Sequence, residues 1–224
     1  MVRVSADSTC DLSPELIARY GLEIAPLYIV RDGESLRDGM EIRPQDIFDY
    51  VDKTGKLLKT SAVSVEDYIS LFRRLTQDGS EVVHITISAE MSTCYQNACL
   101  AAQEVPGVFP VDSRNLSTGM GLVVIEAAKR AQAGEDGAAI QKAMNALTPR
   151  IEASFVIERL DYLYKGGRCS ALAALGANIL HLKPCIEVRN GKMGVGRKYR
   201  GSYDKVLRQY ARDRLHGRDD IERE

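Results

Sequence analysis

The sequence predicts a two-lobed α/β protein whose N-terminal lobe is a mostly parallel sheet flanked by helices. Apolar, β-branched segments alternate with helical segments over the first 160 residues, which is the order of a parallel α/β layer. Residues 81–88 (EVVHITIS) carry little polarity, as strands covered on both faces do. The pattern changes after Lys165. Lobes are therefore predicted at 1–160 and 161–224, the second an α/β lobe with an antiparallel hairpin.

The elements of the N-terminal lobe follow from local signals. Pro14 suits the first turn of a helix, where its missing N–H would have no partner in any case. Ser64 and Asp67 have the spacing of a capping box, and apolar residues follow at helical spacing as far as Leu75. Strands are predicted at 2–7, 81–88, 108–113 and 153–158, with short strands and a turn at Arg31-Asp32-Gly33 within 24–43. Helices are predicted at 13–20, from Pro44 to about Lys53, from Ser64, at 92–104, at 118–133 and at 136–147.

The second lobe begins near 165-KGGRCS-170, which we interpret as the turn that joins the lobes. An alanine-rich helix is predicted at 170–180. Asn190-Gly191 lies between two alternating segments, and this pair favours a type I′ turn, so the sequence predicts a hairpin. A further helix from Ser202 gives a lobe with one hairpin and two helices. Such a small sheet keeps an open edge.

Composition favours a cytoplasmic protein without a metal or cofactor. No apolar run reaches the roughly 18 residues of a membrane span, and the N-terminus is too polar for a signal peptide. Five cysteines without a CxxC pair are typical of reduced thiols and disfavour a zinc site. The three histidines lie far apart in the sequence, and the GxSxG and HExxH motifs are absent. We interpret His84 as a core residue and expect no nucleophile to meet a base.

The net charge of −1 conceals a basic segment near the end of the chain. Residues 189–218 contain ten Lys or Arg residues against Asp204 and Asp213, a net charge of +8, so the rest of the chain carries −9. Such a surface attracts an anionic partner, although a solvated helix face explains the same pattern. One function that stays open is therefore a nucleic-acid-binding regulator, which the few interleaved aromatic residues disfavour.

Two hydroxyl-rich stretches, 60-TSAVS-64 and 88-SAEMSTCYQ-96, each lead into a predicted helix. Hydroxyl groups at a helix N-terminus either cap the helix or help its unpaired N–H groups to bind an anion. The second stretch also follows a buried strand, and ligands of open α/β sheets sit at the carboxyl ends of strands. Asp7, in the acidic turn that ends the first strand, would hold a metal ion, orient a hydroxyl or cap the turn, and capping is favoured. The candidate residues are Thr60, Ser61, Ser64, Ser88, Ser92 and Thr93.

Taken in order, several segments resemble the DegV family of bacterial fatty-acid-binding proteins over essentially the whole chain. The resemblance rests on the ordered set and not on any one segment. The segments are 7-DSTCDL-12, 60-TSAVS-64, 88-SAEMSTCYQNA-98, 111-VDS-113, 160-LDYLYKGGRCS-170, 175-LGANILHLKPCIEV-188 and the hairpin that carries Gly191-Lys192 and Arg197-Lys198.

The resemblance implies a non-catalytic carrier with a two-lobed fold. A long-chain fatty acid would lie in a buried tunnel, its carboxylate held by Thr60 and Ser92. A separate fatty-acid kinase would phosphorylate the bound acid, and the acyl phosphate would feed phospholipid synthesis. Arg168 would either orient the head group or brace the turn, and bracing is favoured because Arg stems often pack structurally. Arg197 and Lys198, in the basic segment, would dock the kinase.

The sequence departs from the family pattern in both hydroxyl-rich stretches. Val63 replaces the usual Pro, Ala89 stands where a second Ser is common, and Thr93-Cys94 replaces Gly-Thr. Family members also continue beyond the length of this chain, so the resemblance predicts an incomplete second lobe. Either the sequence is a piece of a longer chain or it is a natural short form.

An enzyme stays the main alternative to a carrier. In that reading a small phosphotransferase or hydrolase would use the hydroxyl-rich stretches. Turnover of an acyl ester or phosphoester by the protein alone would distinguish it from a carrier.

Overall fold

The structure, a computed structural model, describes residues 1–170, 172 and 182–221. Within them the chain divides into two compact units. The first unit contains residues 1–152 together with the three turn residues 190–192. The second contains the described residues of the ranges 153–189 and 193–224.

The helices and strands alternate along most of the chain, with two short 3-10 turns at Ser8–Cys10 and Thr148–Arg150. The strands are β1 (Val2–Asp7), β2 (Glu23–Ala25), β3 (Tyr28–Arg31), β4 (Glu34–Arg37), β5 (Lys59–Ser61), β6 (Glu81–Thr86), β7 (Val108–Asp112), β8 (Ala153–Val156), β9 (Lys183–Arg189) and β10 (Lys192–Tyr199). The helices are α1 (Pro14–Tyr20), α2 (Pro44–Thr54), α3 (Val65–Thr76), α4 (Cys94–Glu104), α5 (Ser117–Gln132), α6 (Gly137–Leu147), α7 (Asp161–Gly166) and α8 (Tyr203–Leu215).

The first unit is built on a four-stranded sheet in the order β2-β1-β6-β7, and its three strand pairs are parallel. This confirms the predicted parallel sheet. The central strand β6 is buried because helices pack on both faces of the sheet, and Val82, Val83 and Ile85 are each fully inaccessible. On α3, Tyr68 and Phe72 face the same core, as their helical spacing predicts.

A second, antiparallel sheet of the first unit has the order β4-β3-β5. Asp32 and Gly33 both have positive φ in the turn between β3 and β4, so the predicted turn is confirmed. The third strand was not predicted. Residues 59–61 pair with β3, with Thr60 opposite Ile29, so Thr60 lies on a strand and not in a turn.

The second unit contains a three-stranded sheet in the order β10-β9-β8, with β8 antiparallel to β9. Asn190 and Gly191 both have positive φ, which confirms the predicted hairpin turn. Strand β8 was predicted to belong to the N-terminal lobe. In the structure it pairs with β9 and not with a strand of the parallel sheet, so it belongs to the second unit. Helix α8 covers the small core of this unit, which is formed by Val156, Cys185, Tyr199 and Val206.

The Lys165–Arg168 turn is the end of a short helix. Helix α7 stops at Gly167, which adopts the left-handed conformation that favours glycine. The predicted alanine-rich helix at 170–180 lies largely outside the described residues. Among residues 1–170, 172 and 182–221, no helix is both long enough and apolar enough to cross a bilayer. The same ranges contain no group of His, Cys, Asp and Glu side chains suited to a metal ion.

Candidate functional site

The first hydroxyl-rich stretch spans the end of one strand and the start of a helix. Thr60 and Ser61 are exposed on β5. Ser64 is the N-cap of α3, where its hydroxyl accepts a hydrogen bond from the N–H of Asp67 at 3.1 Å. It also donates to the Asp67 carboxylate at 2.7 Å. The hydroxyl of Ser64 is therefore engaged in capping, whereas Thr60 and Ser61 lie at the exposed end of β5.

In the second stretch, Ser88 has a structural role. Its N–H donates to the Asn115 carbonyl at 2.9 Å, which joins the loop after β6 to the loop after β7. Its buried hydroxyl donates to the carbonyl of Gly191, a residue of the first unit, at 2.7 Å. The hydroxyl also accepts from the N–H of Glu90 at 3.3 Å. These bonds occupy Ser88 inside the protein.

Ser92 and Thr93 stand at the N-terminus of α4, which begins at Cys94. Ser92 is half-buried, and its hydroxyl accepts from the Cys94 N–H at 3.3 Å. The same hydroxyl donates to the Cys94 sulfur at 3.1 Å. Thr93 is the N-cap residue and is exposed. Ser92 is therefore at the surface end of a helix whose N–H groups and dipole favour a negative charge.

A side-chain hydrogen bond joins the two stretches. The Asn97 amide on α4 donates to the backbone carbonyl of Val63 at 2.7 Å. Val63 is buried between Ser61 and Ser64, so α4 and the segment after β5 are held side by side. Asn97 was not among the predicted site residues, although its place one helical turn after Thr93 was visible in the sequence.

Beneath these stretches lies a buried polar network that sequence reasoning missed. The Tyr68 hydroxyl donates to Asp7 at 2.6 Å, and the Ile87 N–H donates to the other Asp7 oxygen at 2.9 Å. The His84 ring bonds to Ser5 at 2.8 Å and lies 3.3 Å from Asp7. The sequence did not predict the contact between Ser5 and His84. Asp7 is the last residue of β1 and the N-cap residue of the following 3-10 turn, but its side chain makes no capping hydrogen bond there.

The Ser5–His84–Asp7 arrangement resembles a hydrolase triad, but its accessibility argues against catalysis. The three residues are 0% exposed, so a substrate does not reach the Ser5 hydroxyl. The interpretation of His84 as a core residue is confirmed. The signal in the sequence was weak: Ser5 and Asp7 alternate on β1, and His84 faces Ser5 only because of the β1–β6 register.

Burial also sets the protonation of the groups beside this network. The pKa of Tyr68 is raised well above its ordinary value, first by burial and then by the charge of Asp7. Burial likewise raises the pKa of Cys94 to about 11, with Asp7 the second cause. Both groups therefore keep their protons at neutral pH.

The remaining predicted residues belong to the second unit. Arg168 is exposed, and its guanidinium donates to the Gly166 carbonyl at 2.7 Å, which supports the bracing role. Arg197 forms an ion pair with Asp213 at 2.9 Å and lies over the Tyr199 ring. Lys198 is exposed. A cleft of about 550 Å³ is lined by Leu182, Arg197, Lys198, Tyr199, Arg200 and Gln209.

The fold and the site together define an α/β protein with a hydroxyl-bearing edge at a helix N-terminus. The family model described as "Uncharacterised protein, DegV family" matches residues 1–215. The chain belongs to the DegV family. A DegV domain-containing protein from Clostridium perfringens is 32% identical over 207 residues, which cover 92% of this chain and 74% of the relative.

Solved structures of relatives share the fold. A fatty-acid-binding DegV family protein from Thermus thermophilus superposes with a TM-score of 0.84 and 31% identity, over 97% of this chain and 79% of that one. A stearic acid-binding protein from Eubacterium ventriosum gives a TM-score of 0.83 and 28% identity, over 96% and 78% of the two chains. The predicted fold and family are confirmed.

Proposed function

We propose that this protein binds a long-chain fatty acid and holds its carboxylate with the hydroxyl groups of Thr60 and Ser92. The observation that carries the proposal is the Asn97–Val63 hydrogen bond, because it fixes the two hydroxyl-bearing segments beside each other. The descriptions of the Thermus and Eubacterium relatives as fatty-acid-binding proteins support the ligand class.

The chemistry of the two residues fits a carboxylate. Neutral hydroxyl donors and the N-terminus of α4 stabilise a negative charge without a bound cation. A hydrogen bond to a charged group contributes about 1.5–3 kcal/mol, whereas each buried CH₂ of an acyl chain contributes about 0.8 kcal/mol. A long acyl chain in a buried tunnel therefore supplies most of the affinity, and the hydroxyl groups select the acid.

In this proposal the protein is a cytoplasmic carrier and not an enzyme. A separate fatty-acid kinase phosphorylates the bound carboxylate, and the acyl phosphate enters phospholipid synthesis. The exposed positive charges near Arg197 and Lys198 provide a docking surface for the kinase. The burial of Ser5, His84 and Asp7 supports a binding role over hydrolysis.

The first experiment is native mass spectrometry of the purified protein, followed by organic extraction of any bound lipid. We expect a co-purifying fatty acid in the wild type and its loss in Thr60→Val and Ser92→Ala. Ser35→Ala and Ser70→Ala are matched controls, because each removes an exposed hydroxyl from an element of the same unit. A protein that neither co-purifies with nor takes up palmitate or oleate would contradict the proposal.

A second experiment tests the carrier role with a purified bacterial fatty-acid kinase and ATP. Acyl phosphate should form only when both proteins are present, and Arg197→Glu with Lys198→Glu should slow its formation while fatty-acid binding is retained. Release of product from an acyl ester or phosphoester by this protein alone would favour the enzyme instead. Tight nucleic-acid binding that falls steeply with salt would favour the regulator.

A further inference from the structure

Ser88 closes the turn that leads from β6 to the candidate residue Ser92. Its backbone carbonyl accepts the N–H of Met91 at 2.9 Å and the N–H of Ser92 at 3.2 Å. Ser88 and Met91 are buried, whereas Ser92 is half-buried. Ser92 is therefore tied through its backbone to a buried residue four positions earlier in the chain.

The side chain of Ser88 joins this turn to the hairpin turn at residues 190–192, which belongs to the same unit. The Ser88 hydroxyl donates to the Gly191 carbonyl at 2.7 Å and accepts the Glu90 N–H at 3.3 Å. The side chain is 0% exposed, so water does not replace a bond that is lost. An exposed ion pair between Lys192 and Glu90, at 3.1 Å, joins the same two segments.

Glycine is required at position 191 for two independent reasons. The φ angle of Gly191 is +81°, in the left-handed region that favours glycine. A Cβ atom at this position would also lie 2.6 Å from the Ser88 hydroxyl oxygen and 3.1 Å from Cγ of Glu90. The hairpin pattern in the sequence accounts for the first requirement only. The second requirement shows that the 190–192 turn is packed directly against Ser88.

From these contacts we infer that Ser88 and Gly191 are positioning residues for Ser92 and set the preference of the site for a carboxylate head group. The inference rests on the proposed function and deepens it. A hydrogen bond weakens steeply as its angle departs from linearity, so the Ser92 hydroxyl is an effective donor only where its backbone is fixed. A hydrogen bond to a charged acceptor is about twice as strong as one to a neutral acceptor, so displacement of Ser92 weakens the binding of an acid more than that of an ester.

The test compares the affinities of palmitate and methyl palmitate, whose acyl chains are identical, in Ser88→Ala and Gly191→Ala. Loss of Ser92 positioning lowers the ratio of acid to ester affinity, and we expect a fall of about 3- to 10-fold, the size of one hydrogen bond. Two matched controls should stay within about twofold of the wild-type ratio. Ser5→Ala removes an equally buried hydroxyl from the same unit. Gly33→Ala places alanine at a φ of +93° in a hairpin turn, where no described residue beyond the adjacent ones lies within 4 Å of the added Cβ.

Amide hydrogen exchange, followed by NMR without any ligand, tests the contacts themselves. In Ser88→Ala the amides of Glu90 and Ser92 should exchange about 3- to 10-fold faster, while the amides of β6 keep their wild-type rates. Equal weakening of acid and ester in both variants, or faster exchange throughout the sheet, would overturn the inference, because Ser88 and Gly191 would then act on folding alone. A wild type that binds palmitate, with a ratio that neither variant changes, overturns the inference and leaves the proposed function standing. A wild type that binds neither ligand overturns the proposed function as well.

Discussion

Asp7 of the first unit and Arg197 of the second are held in opposite ways. In the first unit, Asp7 is completely buried and receives hydrogen bonds from Tyr68 and Ile87. In the second unit, the side chain of Arg197 is 60% exposed although it pairs with Asp213. A buried carboxylate depends on every partner it has, because water does not replace a lost bond. An exposed pair exchanges its partner for solvent with little loss.

The comparison determines which substitutions report on function. Near Asp7 a change of charge alters the stability of the fold as well as binding. The informative variants there keep the shape of the wild-type side chain, as Tyr68→Phe does. Near Arg197 we expect a reversal of charge to leave the fold intact, because the side chain is exposed, so its effect on a partner is direct. Four measurements examine this difference.

The largest effect is expected for Asp7→Ala. The substitution leaves the Ile87 N–H and the Tyr68 hydroxyl without their buried acceptor, and it should lower the free energy of unfolding by about 3–5 kcal/mol. Urea denaturation followed by circular dichroism measures the change. Asp49→Ala removes an exposed carboxylate of α2 and should change stability by less than about 0.5 kcal/mol. Similar values for the two variants would contradict the comparison.

The next effect is a loss of stability at alkaline pH that depends on Cys94. The folded-state pKa of about 11 lies above the ordinary value of 9.0, so the thiol stabilises the fold below pH 9. This contribution decreases as the pH rises through the folded pKa and reaches about 3 kcal/mol in total. Urea titrations from pH 8 to 11 should therefore show a steeper decline in wild type than in Cys94→Ser. Parallel declines would show that the thiol is accessible to water.

Tyr68→Phe should have an intermediate effect. The phenyl ring fills the same space between Phe72 and His84, but Asp7 loses one donor. We expect the free energy of unfolding to decrease by about 1–3 kcal/mol, measured by the same urea titration. Tyr50→Phe is a matched control, since its hydroxyl bonds to the exposed Asp32. A loss as large in the control would mean that burial does not decide the strength of these bonds.

The smallest effect is expected for Arg197→Glu. The change breaks the ion pair with Asp213 and places two acids near each other, yet both sides of the pair are in contact with water. The free energy of unfolding should decrease by no more than about 1 kcal/mol, and the effect should shrink in 0.5 M salt. A larger loss, independent of salt, would mean that this pair resembles the buried network more than a surface pair.

Local patterns predicted the parts of the fold that depend on neighbours in the sequence. The β-branched segment at β6 indicated a strand covered on both faces, and Asn190-Gly191 indicated the hairpin turn. Strand β5 was missed because three residues are too few for a periodic pattern, and its pairing with β3 is decided by packing. The sheet to which β8 belongs was missed for the same reason.

The candidate site was predictable in part. The position of hydroxyl residues just before predicted helices indicated Ser64 and Ser92 as candidate site residues. Only the family resemblance connected Thr60 with a fatty acid. The Ser5–His84 contact required a register between positions far apart in the chain, which no local pattern contains. The same is true of Asn97, whose partner Val63 is on a different segment.

The register of β1 against β6 also has a consequence for the order in which the chain is made. Strand β1 is synthesised first, and its parallel neighbour β2 follows soon after, but its second parallel neighbour β6 follows only at residues 81–86. Until then Asp7 lies on a strand that lacks one of its two neighbours. The arrival of β6 brings His84 and the Ile87 N–H to Asp7 in one step, so burial of the charge coincides with closure of the sheet. Such long-range parallel pairing is slow to form. A nascent chain that stops short of residue 86 should therefore remain dependent on chaperones. A chain that extends through α4 contains the segments that bury β1.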